Sequence, residues 1–157
     1  MLDKQVCRKQ SKQFIFDSST NKHVADQKIS SHLNTLINEL YPDGFQYCGF
    51  YMPLDDEPKL LLPENAVVTF PKVLNDDKIE FYSGKIDSFK KGAFDVYEPQ
   101  NLMDKHIEIK KHDFFVVPGL SFSSQGYRLG RGKGYYDRFL KVFKKNKIGI
   151  GLSLIHI

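Results

Sequence analysis

His112-Asp113-Phe114-Phe115-Val116-Val117-Pro118-Gly119 is the stretch on which the fold turns. Two aromatic and two β-branched residues in a row, stopped by Pro-Gly, predict a short strand buried on both faces, because a half-exposed strand would alternate apolar with polar residues. A polar, glycine-rich stretch follows up to Gly134. Beyond it Tyr136, Phe139, Leu140 and Phe143 recur at i, i+3, i+4 and i+7 with basic residues on the remaining positions, which predicts an amphipathic helix. A strand with two buried faces, a loop and a helix make one unit of an α/β sheet. In such sheets ligands gather beyond the carboxyl ends of the strands, so the loop after Val117 is the place to look for chemistry.

The rest of the chain supports a sheet covered on both sides. Residues 3–16 are helix-compatible, and Asp17-Ser18-Ser19-Thr20 offers N-caps for a second helix. Ala25, Ile29, Leu33, Leu36, Ile37 and Leu40 make its apolar stripe, and Pro42-Asp43-Gly44 ends it. Residues 45–52 read as a buried strand, 53–63 as a loop carrying Asp55, Asp56 and Glu57, and 66–70 and 78–82 as two short strands. Residues 83–111 lack sustained periodicity and read as a long ordered loop of the kind that has a function. Residues 147–157 read as a last buried strand. The expected fold is a three-layer, Rossmann-like α/β/α sandwich with a mostly parallel sheet, in one domain over residues 1–157.

Composition narrows the class. The chain has 157 residues, 41% hydrophobic and 27% charged, which suits a globular domain rather than a disordered segment. No apolar run approaches the ~20 residues that cross a bilayer, and MLDKQVCRKQSK lacks the apolar core of a signal peptide, so a cytoplasmic protein without membrane contact is expected. Cys7 and Cys48 fall in a helix and a buried strand, and both are expected to be reduced. Net charge is +4, but residues 105–147 hold 11 Lys and Arg against 3 Asp and Glu, which is +8 there and −4 elsewhere. An anion should dock on that segment.

The most informative run within it is Arg128-Leu129-Gly130-Arg131-Gly132-Lys133-Gly134-Tyr135-Tyr136-Asp137-Arg138. Glycines at every second position let amides approach a ligand and take positive φ, and together with a helix N-terminus they form an anion site. Lys133 is followed by Gly134 rather than Ser or Thr, so this is not a Walker A loop, and its G-x-G-x-G spacing is not the dinucleotide fingerprint. Taken alone, the run fits a phosphate-binding loop, a basic surface loop or an RNA-contacting Arg-Gly-Tyr segment. The five His residues show no metal-ligand spacing, and zinc is not expected.

The run Val117-Pro118-Gly119-Leu120-Ser121-Phe122, continued by Gly126 to Leu140, resembles the signature of the 5-formyltetrahydrofolate cyclo-ligases, also called methenyltetrahydrofolate synthetases. Lys4 and Arg8, Glu57, Phe70-Pro71-Lys72-Val73, Ile79-Glu80-Phe81-Tyr82, Gly92-Ala93-Phe94 and Glu98-Pro99 match further family motifs in order. The resemblance implies an ATP- and Mg²⁺-dependent ligase that cyclises 5-formyltetrahydrofolate to 5,10-methenyltetrahydrofolate through a phosphorylated formyl group, releasing ADP and phosphate.

Carried over residue by residue, it assigns ATP binding to Lys4, Arg8, Arg128, Gly130, Arg131, Gly132, Lys133, Gly134, Tyr135 and Tyr136. Arg128, Arg131 and Lys133 would neutralise the transferring phosphoryl group. Met52, Glu57 and Tyr135 would hold the folate, and Asp137 would hold Mg²⁺. The implied partners are a reduced folate and ATP, with no nucleic acid, and the expected state is a monomer.

Four departures from the family pattern stand out. Ser123 replaces an Asp, Tyr97 replaces a Pro, residues 57–71 are too few for the usual helix, and the chain stops at Ile157, where the family continues to a second metal-associated Asp. A domain shortened at its C-terminus is therefore expected. Two other readings compete: a nucleic-acid-binding module built on the basic Gly/Tyr-rich segment, and a family member without turnover.

Overall fold

The computed structural model describes residues 3–17, 21–75, 78–92, 96–100 and 105–152. Three helices, α1 (Lys4–Asp17), α2 (Lys22–Leu40) and α3 (Tyr135–Val142), accompany ten strands among these residues. The main sheet contains β1 (Tyr47–Gly49), β2 (Val67–Asn75), β3 (Lys78–Ser83), β6 (Lys105–His106), β7 (Phe114–Pro118) and β10 (Asn146–Ile150). Their spatial order is β10-β7-β1-β2-β3-β6; the first four run parallel, β3 is antiparallel to β2, and β6 is antiparallel to β3. Two small antiparallel pairs, β4 (Lys90–Lys91) with β5 (Tyr97–Glu98) and β8 (Ser121–Phe122) with β9 (Arg128–Leu129), flank it.

β7 explains the three layers. All five of its residues are buried, and the strand's period of two sends alternate side chains to opposite faces. Phe114 and Val116 join Leu33 and Ile37 of α2 in one core cluster, whereas Phe115 and Val117 join Phe139 of α3 and Phe143, its C-cap, in the other. Each fully buried large side chain contributes roughly 1.5–3 kcal/mol. Gly49 lies beside β7 because the Phe115 ring fills the space a Cβ would need; the nearest ring carbon would stand only 2.0 Å away.

Several element boundaries differ from expectation. Of the stripe of α2, Leu33 and Ile37 are fully buried and Ile29 packs partly buried beside the same core, whereas Leu36 and Leu40 are exposed at its edge. Asn21 occupies the N-cap position without a side-chain cap bond, and the Ser18–Thr20 candidates lie outside the described residues. β1 has three residues rather than eight, although Phe50 and Tyr51 remain buried beyond it. β2 continues through Pro71, which is tolerated because the N–H two residues on, that of Val73, points away from β3 to the Glu98 carboxylate. The missing donor therefore falls on an edge without a ladder.

The connection from β1 to β2 holds no helix. Leu60 and Leu62 pack on the core instead, and the Leu61 amide donates to Ser30 Oγ at 3.2 Å, so α2 and this loop together cover that face. Residues 83–111 contain short elements rather than plain loop, including 3₁₀ turns at Ile86–Ser88 and Ile109–Lys111. The predicted last strand is β10, with residues 153–157 outside the described set. Both cysteines are free and buried. Among the described residues, no helix is long and apolar enough to cross a membrane.

Polar bonds brace the other end of the sheet. Asp113 Oδ2 accepts from the Gln46 and Tyr47 amides at 2.9 and 3.0 Å, tying β7 to β1. His112, fully buried, lies 2.7 Å from Thr69 Oγ1 through Nε2 and 3.1 Å from the Glu108 carbonyl through Nδ1. A carbonyl can only accept, so Nδ1 carries a proton toward Glu108, and the Thr69 hydroxyl sits between Nε2 and the Cys48 carbonyl, 3.3 Å away.

Candidate active site

β1 and β7 are neighbours, yet the chain leaves β1 toward β2 and leaves β7 toward β10, on opposite sides. Their diverging loops open a crevice, the position where α/β sheets bind ligands. A cavity of about 290 Å³ occupies it. One wall comes from the loop after β1, with Tyr51, Met52, Leu54 and Glu57. Pro71, Val73 and Ile79 line the side, Glu98 enters from β5, and residues 128–137 form the remaining wall.

The glycine loop begins after the β8–β9 hairpin, which the Leu120 amide closes on the Leu129 carbonyl at 2.9 Å. Ser123 Oγ accepts the Tyr127 amide at 3.1 Å and so caps the hairpin turn where the family pattern has an Asp. Gly132 and Gly134 have φ of +102° and +77°, the left-handed region that side chains avoid. Gly130 is small for another reason: a Cβ there would lie 2.5 Å from Arg128 Nη1. Gly134 is the residue from which α3 starts, so the loop runs straight into a helix N-terminus.

The cationic side chains have defined places. Arg128 donates from Nε to the Pro118 carbonyl at 2.7 Å and from Nη1 to Asp137 Oδ1 at 2.9 Å, while its guanidinium lies 5.1 Å from the Tyr136 ring centre. Arg131 crosses to the opposite wall, donating from Nε to Glu57 Oε1 at 3.2 Å and from Nη2 to Asp56 Oδ1. Burial opposes its charge, but Asp56 and Glu57 outweigh that and raise its pKa. Lys133 lines the cavity from an exposed position. Arg138 covers Tyr135 at 5.2 Å and donates to the Lys133 carbonyl at 3.3 Å rather than simply facing solvent.

Of the remaining expected site residues, Met52, Glu57, Tyr135, Tyr136 and Asp137 all line the cavity. Glu57 is buried and also accepts the Leu54 amide at 3.1 Å. Arg8 reaches the glycine loop from α1, donating Nε–H to the Gly130 carbonyl at 3.0 Å. Neither it nor Lys4 forms part of the cavity wall. Burial, reinforced by Glu57, holds the Tyr51 and Tyr136 hydroxyls well above the ordinary phenol range, so both stay protonated.

Reading by residue type passed over Asp56 as a contact of Arg131, and it passed over the apolar side wall. Asp56 looks like one acid of a solvated turn, and Val73 and Ile79 look like ordinary strand residues.

A sequence model of the 5-formyltetrahydrofolate cyclo-ligase family matches residues 50–156, which include every residue lining the cavity. The chain belongs to this family. The 5-formyltetrahydrofolate cyclo-ligase of Mycoplasma pneumoniae is 29% identical over 97% of this chain and 85% of its own length. That of Haemophilus influenzae is 32% identical over 87% and 76%. Among solved structures, the 5,10-methenyltetrahydrofolate synthetase of Aquifex aeolicus superposes with a TM-score of 0.81 at 31% identity, covering 98% of this chain and 81% of that one. The mostly parallel cyclo-ligase sheet is thus shared with proteins that also carry the name synthetase.

Proposed function

We propose that the chain converts 5-formyltetrahydrofolate to 5,10-methenyltetrahydrofolate with consumption of ATP. The observation that carries this reading is the glycine loop of residues 130–134, two of its glycines left-handed, facing buried Glu57 across one crevice. Family membership supplies the reaction, and the crevice offers a polar wall for phosphates and a largely apolar one for a ring system.

In this scheme the formyl oxygen of the folate attacks the γ-phosphorus of ATP and ADP leaves. N10 then adds to the activated carbon, phosphate departs, and the ring is closed. Phosphoryl transfer of this kind needs positioning and charge neutralisation rather than a protein nucleophile. Arg128, Arg131 and Lys133 supply the charge, and the amides of Gly130, Gly132 and Gly134 line up along the polyphosphate. Tyr135 and Tyr136 bound the nucleotide site, and Met52, Glu57 and Tyr135 hold the folate. Lys4 and Arg8 act from α1, Arg8 by fixing the Gly130 carbonyl.

Among the described residues, no group of three or more His, Cys, Asp or Glu could hold a metal alone. Asp137, an exposed carboxylate in the first turn of α3 at the cavity edge, fits the sparser demand of Mg²⁺, which takes one or two carboxylates plus phosphate oxygens and water. Mg²⁺ held there with ATP would screen the phosphate charge. Residues 1–157 act as one domain in this scheme, since both core clusters share a single sheet.

The test is methenyltetrahydrofolate formation, followed by absorbance, from 5-formyltetrahydrofolate with and without ATP. Product that appears only with ATP, one ATP per turnover, is expected. ATP hydrolysis independent of folate, with no methenyl product, would sink the reading.

A further inference from the structure

Arg131 spans the mouth of the cavity. It leaves the glycine loop and ends on the turn after β1, where Glu57 takes its Nε–H and Asp56 takes its Nη2–H. A guanidinium fork that grips carboxylates matches phosphate oxygens equally well, so a polyphosphate entering the loop competes with these two acids for the same donors. The acids are not equivalent. The Glu57 side chain is only 10% exposed and belongs to the cavity wall, whereas that of Asp56 is 37% exposed and adds a negative charge at the rim.

We propose that Asp56 is a positioning residue that holds Arg131 against the β1-side turn and thereby lowers nucleotide affinity, so that Arg131 reaches the triphosphate only when this contact breaks. The inference rests on the ATP site assigned above. Removing the Asp56 charge leaves Arg131 tethered by Glu57, so the loop is not released altogether, but one competing acceptor and one repulsive charge disappear. Because the pair is about one-third exposed, its strength is that of a partly screened ion pair, and the expected gain in affinity is about threefold to fivefold.

The experiment titrates a non-hydrolysable ATP analogue with Mg²⁺ into the full chain by calorimetry. Asp56→Asn should bind about threefold to fivefold more tightly than wild type, and Asp56→Ser should reproduce this should the amide disturb the turn. Asp56→Glu, which keeps a carboxylate within reach, should stay within about twofold of wild type. Asp55→Asn removes the same charge from the exposed neighbouring position and should gain less than Asp56→Asn. Unchanged or weaker binding by Asp56→Asn and Asp56→Ser, or an equal gain by Asp55→Asn, would overturn the proposal. Wild-type protein that binds no nucleotide would overturn the ATP site itself, and this inference with it.

Discussion

Gly132→Ala and Gly126→Ala separate what the glycine loop does for the fold from what it does for a ligand. Both glycines have positive φ, +102° at Gly132 and +82° at Gly126, so each alanine carries a left-handed backbone penalty of about 1–2 kcal/mol. Neither adds a clash. A Cβ at Gly126 would meet nothing within 4 Å, and one at Gly132 would find its nearest neighbour, Arg8 Cζ, at 3.6 Å, ordinary contact. For a domain of this size both variants should therefore melt about 2–8 °C below wild type. Their activities should diverge. Gly132 lines the cavity whereas Gly126 lies in the β8–β9 turn, so kcat/KM should fall about 10- to 100-fold for Gly132→Ala, as misplacement of a positioning loop does, and little for Gly126→Ala. Thermal melts and the methenyl assay measure both quantities on the same preparations. Equal losses of activity at equal losses of stability would show that the loop matters only for folding.

Three other outcomes are expected. Lys133→Ala should lower kcat/KM by about 100-fold or more, the usual scale for removing charge that stabilises a phosphoryl transition state, and Arg138→Ala by less, near tenfold, through its contacts with Tyr135 and the Lys133 carbonyl; identical kinetics for both variants would contradict the loop geometry. Burial holds the pKa of His112 below its ordinary 6.5, so on acidification the unfolded chain takes up a proton that the folded site resists. Its contribution is complete above about pH 6.5 and shrinks as pH falls toward the folded value; urea unfolding at pH 7.5 and 5.5 reads this, and an NMR titration of His112 above 6.5 would refute it. The Cys48 thiol, pushed up to about 12 by burial and then by Asp113, should resist a disulfide reagent at pH 8 in the native protein and react after unfolding.

Much of this architecture could be read from residue order. The apolar run at 114–117 and the spacing of Phe139 and Phe143 foretold the central strand and its covering helix, because burial on two faces and a 3.6-residue stripe leave direct marks in sequence. Met52, Glu57 and the wall from Arg128 to Asp137 followed from the glycine loop and its family resemblance, whereas the apolar side wall of Pro71, Val73 and Ile79 did not. Pairing was harder. The extension of β2 past Pro71 depends on Glu98, 25 residues from the amide that it receives, and the bond from Arg131 to Asp56 joins residues 75 apart. Local periodicity carries no trace of such partners. Gly49 likewise answers to the Phe115 ring, a contact set by the sheet rather than by its own segment.

The sheet order has a consequence for synthesis on the ribosome. β1 lies between β2, made soon after it, and β7, whose first residue follows the last of β1 by 65 positions. While residues 50–113 are being translated, one edge of β1 has no strand to pair with, and the core cluster around Phe50 and Phe70 lacks Phe114 and Val116. The bond between Arg8 and Gly130 spans 122 residues, so α1 also waits for nearly the whole chain before it can dock on the loop. Non-local pairing of this kind slows folding and leaves apolar surface open meanwhile. The nascent protein therefore passes through an interval in which its centre is an unfinished edge, open to pairing with other chains until β7 arrives.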